Sequence, residues 1–274
     1  MKRYLKIRSI AAYLLSLSLV FAATSCEDKE PVEDRPELPP IESLKMDFSD
    51  FAEEPGGDKG TLATYQNFWY SFWTVAIWNS AAVIVSALPV TAYAYALQQT
   101  PAYVGNYTWE WAFDFTWDNK NYTATLTGAR ISNEEFSMEM VIALAATPRL
   151  GVKWFDGVVR YDHTHAEWTL YRNGITSVLE IEWNNDFETG EADLTYTLTD
   201  PEHAENGSYI MLAHWPDLFF DAAYTISLKE GMTHIEWNTE TLEGRVKAPV
   251  HFEDEEWHFW DSQANGLADK VCDQ

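Results

Sequence analysis

Hydrophobic and polar positions alternate most strictly between Tyr107 and Trp117. Tyr107, Trp109, Trp111, Phe113, Phe115 and Trp117 fall on one side, and Thr108, Glu110, Ala112, Asp114 and Thr116 on the other. A period of two sorts side chains to opposite faces of an extended strand, and no helix separates these residues in that way. Asp118-Asn119-Lys120 predicts a turn, after which residues 122–127 and then Phe136, Met138, Met140, Ile142 and Leu144 resume the pattern. Further strands are predicted at 152–161, at 166–172 before an Asn173-Gly174 turn, and at 177–183, 191–199, 208–215, 222–229, 233–238 and 244–252. About ten or eleven antiparallel strands joined by short turns make a meander. Ile181-Glu182-Trp183-Asn184 recurs as Ile235-Glu236-Trp237-Asn238, so two similar hairpins are expected. Glu-Trp occurs five times, and the plain reading is an amphipathic strand that puts the acid on one face and the indole on the other.

A different pattern precedes the strands. From Thr61 to Trp109 there is no Asp, Glu, Lys or Arg, and Phe68 to Trp78 leads into Ala81-Ala82-Val83-Ile84-Val85. This predicts a helix within residues 62–99 that is apolar nearly all the way round and is broken or kinked at Pro89. Its length suits a bilayer, but Gln66, Asn67, Asn79, Ser80 and Ser86 interrupt it and no basic cluster flanks it, so burial inside the protein is the expectation. The resulting fold class is mainly β with an N-terminal helix (α+β): a curved antiparallel meander or barrel-like sheet wrapped around a buried hydrophobic helix. If the helix plugs the sheet, no pocket remains. If it only lids one end, Trp109, Trp111, Phe113, Phe115 and Trp117 become candidate ligand-facing aromatics.

The first residues carry an address. Lys2, Arg3, Lys6 and Arg8 precede an apolar run from Ile10 to Thr24, and Ala22, Ala23 and Ser25 lead to Cys26. Ala23-Thr24-Ser25-Cys26 resembles the lipobox of bacterial lipoproteins. That resemblance implies a signal peptide over 1–25, a diacylglyceryl thioether and an N-acyl chain such as palmitate at Cys26, and a membrane as partner through the lipid anchor. Glu27-Asp28-Lys29-Glu30 is similar to the export signal that sends Bacteroidota lipoproteins to the outer face of the outer membrane. Pro31, Pro36, Pro39 and Pro40 among further acids predict an extended tether over 26–59, leaving 60–274 as a single β-rich domain.

Charge narrows the choice of function. Forty-three acids against eighteen bases give −25, and loss of the leader's four basic residues would give −29. Nucleic acid is therefore excluded as a partner class. Cys272 would stand alone after lipidation of Cys26, so stability is expected from a core and not from a disulfide. Asp162-His163-Thr164-His165 with Glu167 has a zinc-like spacing but no third ligand, and reads as a polar turn; no metal or cofactor is expected. Glu253-Asp254-Glu255-Glu256-Trp257-His258-Phe259-Trp260 pairs acids with aromatics, yet a glycosidase needs two carboxylates across a cleft. Neither a Gly-x-Ser-x-Gly motif nor a phosphate loop nor His-Glu-x-x-His occurs. The leading expectation is an outer-membrane or cell-surface lipoprotein acting as a noncatalytic interaction or structural module, with an envelope protein as partner. A carrier or binding module for a hydrophobic small molecule or a glycan comes next, and a carboxylate-based hydrolase last.

Overall fold

The computed structural model describes residues 35–51, 64–261 and 267–270. The leader, Cys26 and Cys272 lie outside them. One antiparallel sheet of fourteen strands follows the order of the chain without a crossover. The strands are β1 (Ala102–Gly105), β2 (Thr108–Trp117), β3 (Lys120–Arg130), β4 (Glu135–Leu144), β5 (Val152–Arg160), β6 (His165–Arg172) and β7 (Thr176–Asn185). They continue as β8 (Ala192–Leu198), β9 (Tyr209–His214), β10 (Ala222–Leu228), β11 (Gly231–Trp237), β12 (Gly244–Lys247), β13 (His258–Asp261) and β14 (Ala268–Lys270). The eleven predicted strands are all present. The three that the sequence did not announce, β1, β13 and β14, have only three or four residues each, too short for a period to register.

Turn chemistry sets the register. Asp118 and Asn119 both take left-handed φ (47° and 58°) between β2 and β3, the two-residue turn whose twist matches that of the strands it joins. The expected sister hairpins share a turn design. Asp186 Oδ1 accepts from the Glu188 and Thr189 amides, as Asn238 Oδ1 does from the Glu240 and Thr241 amides, and each turn closes on a left-handed residue, Gly190 (φ 75°) or Leu242 (φ 59°). Two boundaries differ from expectation. Tyr107 does not share the face of Trp109: it sits in the β1–β2 turn with φ 54°, half exposed. Residues 249–252 do not extend a strand, because Pro249 opens a short helix there, α2 (Pro249–Phe252).

The sheet is open, with β1 and β14 as its margins. It must nevertheless curl, because Trp109 near one margin and Trp260 near the other belong to the same buried cluster. Four of the five Glu-Trp indoles, Trp111, Trp168, Trp183 and Trp237, point into that cluster, and the fifth, Trp257, lies under the Arg245 guanidinium at 4.3 Å.

The long helix, α1 (Gln66–Ala96), reaches both margins: it packs on β2 and β3 at one side and on β12, β13 and β14 at the other. Its start is capped from outside. Tyr65 offers no side-chain cap, but Asp269 of the edge strand β14 accepts the Gln66 amide (3.0 Å) and the Asn67 amide (2.9 Å). Pro89 does not end the helix, which runs through it for seven more residues with Ser86 and Thr91 hydroxyls donating to carbonyls one turn back. Nor is the helix wholly enclosed, as the sequence led one to expect. Phe68, Phe72, Val75, Trp78, Ala82 and Tyr93 are buried, whereas Trp73, Ile77, Val83 and Ile84 are 54–84% exposed.

Residues 35–51, which the composition placed in the tether, are part of the fold. Leu44, Met46, Phe48 and Phe51 are almost completely buried against the inner face of the sheet. This strap carries a strand-like alternation, Leu44-Lys45-Met46-Asp47-Phe48, that its acidic, proline-rich flanks concealed.

Candidate functional site

The inner face of the sheet is where the sequence placed a groove. On β2, Trp109, Trp111 and Phe115 are buried, and Phe113 and Trp117 are half-buried, all on the inner side. They face side chains of their own protein. Tyr95 of α1 packs on Phe113 (6.4 Å between ring centroids, stacked) and on Phe115 (5.5 Å), Trp109 lies 5.4 Å from Tyr103, and Trp117 lies 6.4 Å from Tyr122.

Across the remaining inner face the strap is held by three phenols. Tyr93 of α1 donates to the Pro39 carbonyl (2.8 Å), Tyr196 of β8 to the Leu44 carbonyl (2.9 Å) and Tyr224 of β10 to the Asp47 carbonyl (2.6 Å). The Tyr196 oxygen also accepts the Met46 amide at 2.7 Å, so one hydroxyl satisfies two strap backbone groups that would otherwise be buried without partners. Burial pushes all three phenols well above the ordinary tyrosine range, and Asp47 and Asp50 push Tyr224 further. A protonated phenol is a donor, as each carbonyl requires. Beyond Asp47, the Trp237 indole donates to Asp50 at 2.8 Å, and Phe51 meets Trp237 edge-on at 5.0 Å and stacks on Phe68 at 5.7 Å. Strap, helix and sheet thus close on one another. Tyr196 and Tyr224 are not legible as functional positions from the sequence, because nothing local to a strand tyrosine reports a partner 152 or 177 residues away.

The outer face is polar, and open clefts lie among the described residues. One, about 340 Å³, is walled by Asn184, Asp186, Glu191, Asp193 and Trp215. Its floor is an ordered ladder across β6, β7 and β8, with His165 Nδ1 2.8 Å from Asn184 Oδ1 and Asn184 Nδ2 donating to Asp193 at 3.0 Å. The other, about 520 Å³, lies over β3 to β6 between Thr127, Ser137, Glu139, Asp156 and Glu167. A smaller hollow of about 140 Å³ borders the strap at Glu42, Lys45, Trp183 and His214.

The remaining sequence candidates are tied into turns. His163 occupies a turn with φ 55° and lies 3.1 Å from the Glu37 carbonyl, while His165 opens β6 and has Asn184 and Glu167 (3.4 Å) as neighbours. The two are not on one strand face. Among the described residues no group of three His, Cys, Asp or Glu is arranged to hold a metal ion. In the acidic segment near the C-terminus, Asp254 accepts the Glu256 amide and lies 3.0 Å from His258 Nε2, Glu255 pairs with Lys247 (3.1 Å), and Phe252 stacks on His258 at 3.8 Å. These acids build the β12–β13 connection. No family model, curated protein or solved structure matches this chain.

Proposed function

We propose that this protein is a lipid-anchored component of the bacterial outer membrane or cell surface that works as a noncatalytic interaction or structural module. The observation that carries the reading is the occupied inner face: the aromatic lining a guest would need is covered by α1 and by the strap, whose carbonyls engage the buried phenols of Tyr93, Tyr196 and Tyr224. A hydrophobic ligand would have to displace a segment of the same chain with Leu44, Met46, Phe48 and Phe51 in place. Interaction through the outside then becomes the economical role. The anchor rests on the leader and Cys26. With Arg35 already next to the folded strap, the nine peptide steps from Cys26 reach at most about 30 Å, which would keep the body close to its membrane.

The test is the mature protein purified from its own host. Intact mass and fatty-acid labelling should place acyl chains on Cys26, Cys26→Ala should abolish the label, and the native mass should be that of the acylated chain alone. An unmodified Cys26 would remove the anchor, and a stoichiometric bound lipid in the native spectrum would replace the interaction module by a carrier. A second reading, glycan recognition, is favoured by one feature: the Trp215-walled cleft couples an indole with a row of amides and carboxylates. Saturation-transfer NMR with neutral oligosaccharides, with and without Trp215→Ala, decides it.

A further inference from the structure

The helix α1 presents an apolar stripe that the fold leaves uncovered, and we infer that this stripe seats on the hydrocarbon boundary of the lipid bilayer, fixing the orientation of the anchored body. Trp73, Ile77, Ser80, Ala81 and Ile84 recur at three- and four-residue steps, which places them in one line along the helix, and all are exposed, Ile77 by 69% and Ile84 by 84%. The opposite side of the same turns, Phe72, Val75, Trp78 and Ala82, is buried in the protein core. A helix apolar on both sides has two apolar surroundings, and the sheet supplies only one. Length and composition would let α1 cross a membrane, but its ring contacts with the sheet and strap at both ends keep it lying against the body.

Two further observations select lipid as the occupant. First, Tyr93 of this helix donates to the Pro39 carbonyl at 2.8 Å, so the N-terminal strap meets α1 near the C-terminal end of the helix. This step rests on the lipoprotein reading above: the thirteen peptide steps from Cys26 to Pro39 reach at most about 45 Å, which would keep the Tyr93 end of the helix near the acyl chains. Second, the chain carries a net charge of −25, and −29 without the four basic residues of the leader, while no residue between Thr61 and Trp109 is charged. Anionic headgroups repel the rest of the surface, and α1 is the element that approaches a bilayer without that cost. Its Trp69 and Trp73, stacked at 6.3 Å, have the amphipathic ring that favours the interface. Three acyl chains already make attachment permanent, so the stripe sets the tilt of the body and not its retention.

The experiment uses the mature chain with Cys26→Ser, which has no acyl group, and flotation with vesicles of pure phosphatidylcholine and of phosphatidylcholine with about one third phosphatidylglycerol. The chain should float with phosphatidylcholine, bind less to the anionic mixture, and lose at least about tenfold in bound fraction on Ile77→Glu/Ile84→Glu, with circular dichroism and thermal midpoint unchanged. Failure to float, or equal binding by the double variant, overturns the inference. So does a stable wild-type dimer that the double variant converts to monomer, because the stripe would then belong to a second copy. Should Ile77→Glu/Ile84→Glu unfold, Ile77→Ser/Ile84→Ser carries the same comparison. Acylation at Cys26 is read separately by mass, so loss of the anchor and loss of the helix contact are distinguished.

Discussion

Raising the pH should take this protein apart through three tyrosines. Tyr93, Tyr196 and Tyr224 each donate to a strap carbonyl, and burial, first of all, holds every one of these phenols well above the ordinary range. In the unfolded chain they ionise near pH ~10. The folded state therefore binds up to three more protons than the unfolded state above that pH, and the stability they contribute is complete below about pH 10 and lost as pH rises. Each extra proton is worth about 1.4 kcal/mol per pH unit, so three give a slope approaching 4 kcal/mol per unit and a loss of about 4 kcal/mol by pH ~11. Against a total of roughly 5–15 kcal/mol, that is enough to move a urea midpoint far. Urea unfolding at several values between about pH 8 and 11, followed by circular dichroism alongside tyrosinate absorbance, measures it. Tyr196→Phe should cost about 1–3 kcal/mol at neutral pH, because the Leu44 carbonyl and Met46 amide lose their partner, and should remove about one third of the alkaline slope. Three phenols that titrate near pH ~10 with unchanged circular dichroism would refute the reasoning, as would a slope that Tyr196→Phe leaves intact.

Two other outcomes follow from single contacts. Asp269→Ala strips the Gln66 and Asn67 amides of their acceptor and should cost about 1–2 kcal/mol, with Asp269→Asn falling between; each kcal/mol reads as roughly 2–4 °C in thermal midpoint, and a wild-type midpoint for the Ala variant would show that the helix start is held elsewhere. Gly157→Ala would place Cβ 2.2 Å from the Glu167 carbonyl and 2.5 Å from Trp168 Cε3, whereas at Gly128 the nearest atom is Trp111 Cζ3 at 3.1 Å. Gly157→Ala should therefore destabilise by at least about 1–3 kcal/mol and Gly128→Ala by less, and the reverse order in urea midpoints would contradict the strand spacing.

What the sequence announced and what it hid separate along physical lines. Strands of seven to eleven residues such as β2, β3 and β7 declare themselves by period, and their turns by Asp-Asn and Asn-Gly pairs, because both signals are local. β13 and β14 have four and three residues and are specified by pairing with β12 and with each other, which no window of sequence contains. The existence of α1 followed from its uncharged run, but not its exposure. Where every side of a helix is apolar, periodicity gives no direction, and only the packed partners decide that Val75 is buried and Ile84 is not. The inward direction of Trp109, Trp111, Phe113, Phe115 and Trp117 was legible from alternation alone. What covers them was not, because the contact of Tyr95 with Phe113 and Phe115 depends on how α1 docks on the sheet, which no local pattern encodes.

The clasp between Asp269 and the start of α1 joins residues about 200 positions apart, the helix preceding the whole sheet along the chain and β14 being its fourteenth strand. A meander can zip up hairpin by hairpin through short loops, so most of the sheet forms with little entropic delay. The helix gains its electrostatic cap only after the last strand of the sheet has formed. Until then, some thirty uncharged residues emerge ahead of the strands that will shelter them, and the interval between first exposure and final docking is when this chain is most open to self-association.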